Sequence, residues 1–129
     1  MSNYDVIIIG AGPGGIFAAY ELAEKAPELK VAVFEAGNPL EKRKCPIDGK
    51  KIKSCVNCKT CAIMSGFGGA GAFSDGKLSL YNKDDDEIHV GGILQEYIGV
   101  EETKKLIDYT DKIYLKFGAD KKLEGTEHK

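Results

Sequence analysis

Two groups of residues in this 129-residue chain have types and spacings that can do chemistry. The first is Gly10-Ala11-Gly12-Pro13-Gly14-Gly15, which satisfies G-x-G-x-x-G through Gly10, Gly12 and Gly15. It directly follows the β-branched run Val6-Ile7-Ile8-Ile9 and opens a stretch of helix formers. In that setting each residue has a task. Gly10 permits the tight turn out of a strand, Gly12 lets a pyrophosphate approach the main chain, and Gly15 lets the helix pack on the strands. Pro13 gives up an N–H the motif can spare and stiffens the turn, and Gly14 belongs to the amide-rich helix start that faces the phosphates. Glu35 closes a second apolar run about 25 residues after Gly10, where a carboxylate accepts bonds from a ribose 2′-hydroxyl and repels a 2′-phosphate. The spacing therefore argues for FAD or NAD over NADP, and does not separate the first two. An unliganded glycine turn with a surface Glu35 is the plainer alternative; strand, spacing and acid agree against it.

The second group is Cys45, Cys55, Cys58 and Cys61. Cys55-Val-Asn-Cys58-Lys-Thr-Cys61 has C-x2-C-x2-C spacing, which can converge on an iron–sulfur cluster with Cys45 as a fourth ligand. The Cys-Pro pair, Cys45-Pro46, precedes the triplet, whereas it follows in ferredoxin-type runs. All four thiolates also make a closed tetrahedral set for zinc. A Cys55–Cys58 redox dithiol is a third reading, weakened by the lack of a helix start to activate a thiolate. Four free thiols are the plainest. In a reducing compartment such clustering speaks against a disulfide framework.

A glycine-dense segment, Gly66 to Gly76, exposes main-chain amides to a phosphate or a flavin edge. Ser74, Asp75 and Lys77 add polar groups to it. Phe67, Ala70, Ala72 and Phe73 are too apolar for a fully solvated loop, so the segment reads as packed and ligand-facing. Lys42, Arg43 and Lys44 form a basic run that usually marks a solvated face; Arg43 is the member suited to hold a phosphate bidentately. His89 and His128 have no ligand-spaced partner and read as solvent or packing residues. No catalytic Ser-His-Asp or Cys-His set can be assembled.

The elements that must position these groups are few. Residues 5–9 and 30–35 read as strands and residues 15–25 as the helix between them, ended by Ala26-Pro27. Strand, helix and strand make a βαβ unit over 4–36. A cysteine-bearing loop over 37–64 and the glycine-rich segment over 65–80 follow. An acidic turn covers 84–87, and a helical remainder lies within 88–118. There Leu106, Tyr109 or Thr110, Ile113 and Phe117 share a face, with Gly118 as C-cap.

Length and charge bound the answer. The chain is one domain in size. With 18 basic and 20 acidic residues it lacks the basic surplus of a nucleic-acid binder. No apolar run reaches the ~18 residues of a membrane span, and the start lacks the basic and apolar regions of a signal peptide. The expectation is a cytoplasmic protein with neither nucleic acid nor membrane as partner.

The run Asp5-Val-Ile-Ile-Ile-Gly-Ala-Gly-Pro-Gly-Gly-Ile16, with Val31-Ala-Val-Phe-Glu35 behind it, resembles the N-terminal FAD-binding unit of flavoproteins with two dinucleotide-binding domains. The later Ser65-Gly-Phe-Gly-Gly-Ala-Gly-Ala-Phe-Ser-Asp-Gly-Lys-Leu78 is similar to a family of FAD-dependent dehydrogenases. The resemblance implies an α/β Rossmann-like domain, a three-layer arrangement on a parallel sheet that is incomplete here. It implies an FAD-dependent oxidoreductase, with Gly10, Gly12 and Gly15 on the pyrophosphate, Glu35 on the adenosine ribose, and Gly68, Gly69, Ala70, Gly71 and Ser74 beside the flavin. Members of the family are several times longer. The expectation is thus an N-terminal part whose parent supplies the missing C-terminal portion and meets a small-molecule substrate and an electron donor or acceptor. An NAD-binding module and a non-catalytic zinc or iron–sulfur fragment are the alternatives.

Overall fold

The computed structural model describes residues 3–74, 78, 81 and 93–120. Expectations placed on Asp75, Gly76, Lys77, His89, His128 and the acidic turn at 84–87 lie outside the described residues. The chain divides into two compact units, Met1–Gly76 and Lys77–Lys129.

The first unit begins with strand β1, Val6–Ile9, helix α1, Pro13–Lys25, and strand β2, Val31–Phe34. The strands pair in parallel with Val6 opposite Val31 and Ile9 opposite Phe34. Both are short β-branched or aromatic runs, which suit a pleated surface. Helix α1 starts at Pro13, two positions earlier than its composition indicated, because a proline at the first turn forfeits only an N–H that has no intrahelical partner. It ends where the Ala26 N–H reaches the Leu22 carbonyl at 2.8 Å, ahead of Pro27. The Asp5 side chain ties the strand starts together by accepting the Lys30 N–H at 2.8 Å.

This is a βαβ unit, a partial Rossmann-like arrangement. Among the described residues the sheet has two strands, so the three layers expected from the sequence are not all present. Parallel sheets are ordinarily covered on both faces. Here Ile7, Ile9 and Phe34 stand exposed, Ile9 at 80%. Buried apolar side chains among the described residues are Ala11 and Ile113.

After β2 the chain makes a short 3₁₀ turn at Leu40–Lys42, runs irregularly through the cysteines, and makes a second 3₁₀ turn at Ala70–Phe73. In the second unit, helix α2, Leu94–Ile98, meets helix α3, Val100–Lys116, at Gly99. The Thr103 hydroxyl donates to the Gly99 carbonyl at 2.8 Å, fixing that junction. At the far end Gly118 N–H bonds the Leu115 carbonyl and Ala119 N–H the Tyr114 carbonyl. That is the Schellman closure, and it needs the left-handed φ of +98° at Gly118. The apolar stripe of α3 is only partly covered: Ile113 is buried, while Phe117 is 69% exposed.

Candidate functional site

The site is built on the turn between β1 and α1. Gly10 extends the sheet by one rung, donating its N–H to the Phe34 carbonyl at 2.7 Å, and then turns with φ +96°. A side chain is strained at that dihedral. A Cβ on Gly15 would collide with the Gly10 carbonyl oxygen and lie 3.3 Å from Ile8 Cγ2. Gly15 is therefore the point where α1 rests on β1. Gly12 is different. Its main chain is extended, and a Cβ there would meet no atom within 4 Å. Helix α1 has no side-chain cap, and Gly14 likewise faces open space.

Glu35 stands where β2 ends. Its Oε2 accepts the Ala11 N–H and its Oε1 the Gly37 N–H, both at 2.8 Å. Those two amides hold its carboxyl below the ordinary 4.5, against partial desolvation, with the Gly66 amide and the Arg43 charge acting in the same direction. The side chain is thus ionised at neutral pH. A carboxylate has about four acceptor positions, so two amide bonds leave it able to accept a hydroxyl.

Arg43 corrects the sequence reading. It was expected to hold a phosphate. The structure buries it at 4% exposure and directs its guanidinium at four main-chain carbonyls. Nε donates to Ala62 and Nη2 to Ile63, at 2.8 and 2.7 Å. Nη1 donates to Phe67 and Gly69, at 2.6 and 2.8 Å. The Phe73 ring lies 4.8 Å from the guanidinium carbon. A planar fork of five donors can gather a loop's carbonyls in this way. Arg43 is the hub on which the glycine-rich segment folds, and four of its five N–H donors are engaged there.

That hub brings the segment back to the first turn. Gly68 donates its N–H to the Ala11 carbonyl at 2.8 Å, and Phe67 donates to Asn38 at 3.1 Å. A Cβ on Gly69 would sit 3.1 Å from Gly12 Cα, and one on Gly71 would sit 3.7 Å from Pro13 Cγ. Gly66 packs so closely that a Cβ would be 2.6 Å from both Arg43 Cδ and the Asn38 oxygen. The motifs separated by some fifty positions in the sequence are therefore neighbours.

Between them lies an open cleft of about 660 Å³, lined by Gly12, Glu35, Ala36, Cys58, Lys59, Thr60, Cys61, Met64, Ser65, Gly66 and Gly69. Gly10, Pro13, Gly14 and Gly15 shape the turn without being among the described lining residues, and so do Gly68, Ala70, Gly71 and Ser74 in the glycine-rich segment. Sequence reasoning did not find Ala36, Lys59, Thr60, Met64 or Ser65 as lining residues. Ala36 adjoins Glu35 and Ser65 opens the glycine-rich run, while the signal for Lys59, Thr60 and Met64 is proximity to the cysteines.

The metal readings need a second correction. All four cysteines are free; Cys45 is partly buried, and Cys55, Cys58 and Cys61 are exposed. Among the described residues no three His, Cys, Asp or Glu side chains come together to hold a metal ion. The four thiols thus do not form the donor set that zinc or an iron–sulfur cluster requires. Cys55 is engaged locally instead, its sulfur accepting the Asn57 N–H at 3.4 Å.

Comparison with known proteins places residues 1–39 in similarity to the Thi4 family. An uncharacterized protein of Clostridium beijerinckii is 40% identical over 78 residues, covering 60% of this chain and 14% of that protein. Thiamine thiazole synthases of Phaeosphaeria nodorum and Yarrowia lipolytica are 64% and 61% identical over 33 residues, covering 26% of this chain and 10% of each enzyme. The chain thus spans a small fraction of the length of the curated relatives it matches. No solved structure matches it significantly. No helix among the described residues is long and apolar enough to cross a membrane.

Proposed function

We propose that the turn from Gly10 to Gly15 and the Glu35 carboxylate bind the adenosine diphosphate half of FAD, as the cofactor-binding part of a cytoplasmic FAD-dependent oxidoreductase of the dehydrogenase type. One observation carries the reading. Gly12, whose main chain is open where a Cβ would stand, and the ionised Glu35 line the same cleft. A diphosphate can approach Gly12 and the uncapped start of α1, while a ribose hydroxyl donates to Glu35. The N-terminal similarity to the Thi4 family covers these same residues.

FAD, when bound, supplies the hydride and electron chemistry. The chain's own residues bind and orient it. Glu35 selects an unmodified ribose over a 2′-phosphate by charge, and the Gly12 main chain sets the approach of the diphosphate. Arg43 keeps the glycine-rich segment against the turn, where Gly69 borders Gly12. In this reading a small-molecule substrate and an electron donor or acceptor meet the remainder of the protein, with neither nucleic acid nor membrane required.

NAD would make the same contacts. FAD is favoured because the glycine-rich segment, which resembles a flavin-side segment, returns to the turn through the Gly68–Ala11 hydrogen bond. The test is the absorption spectrum of the gently purified protein, followed by equilibrium dialysis against FAD, NAD and NADP. Retained flavin, or FAD binding tighter than NAD with NADP weakest, supports the reading. Preference for NADP would refute it.

A further inference from the structure

The cysteine-bearing loop is not absorbed by the function just described, and the structure divides its thiols into two kinds. Cys58 and Cys61 line the cleft with Gly12 and Glu35; Cys45 and Cys55 are not among its described lining residues. We propose that the segment Cys58-Lys59-Thr60-Cys61 is the second wall of the nucleotide cleft, facing the Gly12–Glu35 wall. Its two thiols are then a nucleotide-gated site, shielded when the adenosine diphosphate half of a dinucleotide is bound and open to thiol-reactive electrophiles when it is not. The inference rests on the dinucleotide reading above.

The placement is held by hydrogen bonds to the main chain on the C-terminal side of Cys61. The Cys61 carbonyl accepts the N–H groups of Met64 and Ser65, at 3.2 and 2.8 Å. The next two carbonyls, Ala62 and Ile63, are gripped by the buried Arg43, which also grips Phe67 and Gly69. Gly69 in turn borders Gly12. Contacts made through the Arg43 side chain therefore connect the residues next to Cys61 to the Gly12 turn, so that end of the cysteine segment is positioned by the same hub as the glycine-rich segment. Cys58 and Cys61 are both exposed and both free, which leaves their sulfurs reachable from the open cleft. Lys59 sits between them and brings a cation to a cleft whose other wall carries the Glu35 carboxylate. An anionic diphosphate has a counter-charge there.

Ligand and modification compete for one space: alkylation forms an S–C bond on the cysteine as iodide leaves the reagent, and the added group stands where the nucleotide would. Occupancy slows alkylation of Cys58 and Cys61, and alkylation of those thiols weakens the nucleotide.

The experiment is differential alkylation of the intact protein as expressed from its gene, using iodoacetamide with and without ADP or FAD. Modification is read separately at each cysteine by peptide mass spectrometry, and nucleotide binding is measured in parallel by equilibrium dialysis. At roughly 100 times the dissociation constant, where nearly all sites are filled, Cys58 and Cys61 should react at least about tenfold more slowly, with Cys55 unchanged. Bound nucleotide without protection of Cys58 and Cys61 overturns the inference and leaves the dinucleotide reading standing. Equal protection of Cys55 overturns it too, since that pattern means general tightening of the loop. Absence of any nucleotide binding in the dialysis arm overturns both readings.

Discussion

The Oε2 of Glu35 accepts the main-chain N–H of Ala11 at 2.8 Å, joining residues 24 positions apart. Ala11 is 2% exposed, so its N–H is out of reach of bulk water and depends on that carboxylate. The acid at the end of β2 therefore closes the turn after β1 before it meets any ligand. Its other oxygen holds Gly37, whose own lack of a side chain lets it approach Gly66.

The bond makes stability depend on pH. The Glu35 carboxyl titrates below its ordinary 4.5 because the Ala11 and Gly37 amides stabilise the charged form. For a depressed carboxyl the stabilisation is fully present above the unfolded value and is lost as pH falls through the lower folded value. Asp48 behaves in the same sense from 3.8, through the Ile52, Lys50 and Lys51 amides. Urea midpoints of the wild type should fall as pH drops below 4.5, and the gap between wild type and Glu35→Gln should narrow over that range. A gap that stays constant with pH would show that the charge on Glu35 is not what closes the turn.

Gly12 and Gly15 should separate binding from folding. Gly12→Ala places a Cβ in open space on extended main chain, so its effect on stability should stay within about 1 kcal/mol. Dinucleotide affinity should drop at least about tenfold, or about 1.4 kcal/mol. Gly15→Ala drives its Cβ into the Gly10 carbonyl and should cost about 2 kcal/mol or more of stability. Thermal unfolding and dialysis on the pair check both statements; undiminished FAD affinity in Gly12→Ala would sink the assignment of the diphosphate to that turn.

Arg43 should behave as a fold residue. Arg43→Met strands the carbonyls of Ala62, Ile63, Phe67 and Gly69, and charge-assisted bonds of this kind make a loss on the order of 3 kcal/mol expected. Arg43→Lys keeps the charge but not the fork, and should recover little. Urea unfolding together with faster tryptic cleavage at Lys59 provides the check. A variant with wild-type stability and selectively weaker phosphate binding would restore the ligand role that the hydrogen bonds argue against.

In the second unit, Gly118→Ala should shorten α3. The φ of +98° is strained for alanine, and the Schellman bonds to Leu115 and Tyr114 depend on it. The expected cost is about 1 kcal/mol, read as a lower melting midpoint and reduced helical circular dichroism. An unchanged helical signal would mean that α3 is set by packing and not by its cap.

The sequence by itself determined the βαβ unit, its glycine turn and the acid at the end of β2, because those signals are local. A β-branched run, a proline at a helix start and a glycine at a tight turn restrict the nearby backbone wherever the rest of the chain goes. The Gly118 cap was legible for the same reason. The tertiary structure decided what long-range contacts decide. Arg43 looked like a phosphate ligand because a guanidinium suits phosphate, yet four carbonyls contributed by residues 62–69 satisfy the same donors in a buried place. C-x-x-C spacing permits metal ligation, but where four sulfurs lie depends on the path of the whole loop. That path leaves Cys55 bonded within its own turn and puts Cys58 and Cys61 among the residues that line the same cleft as Glu35.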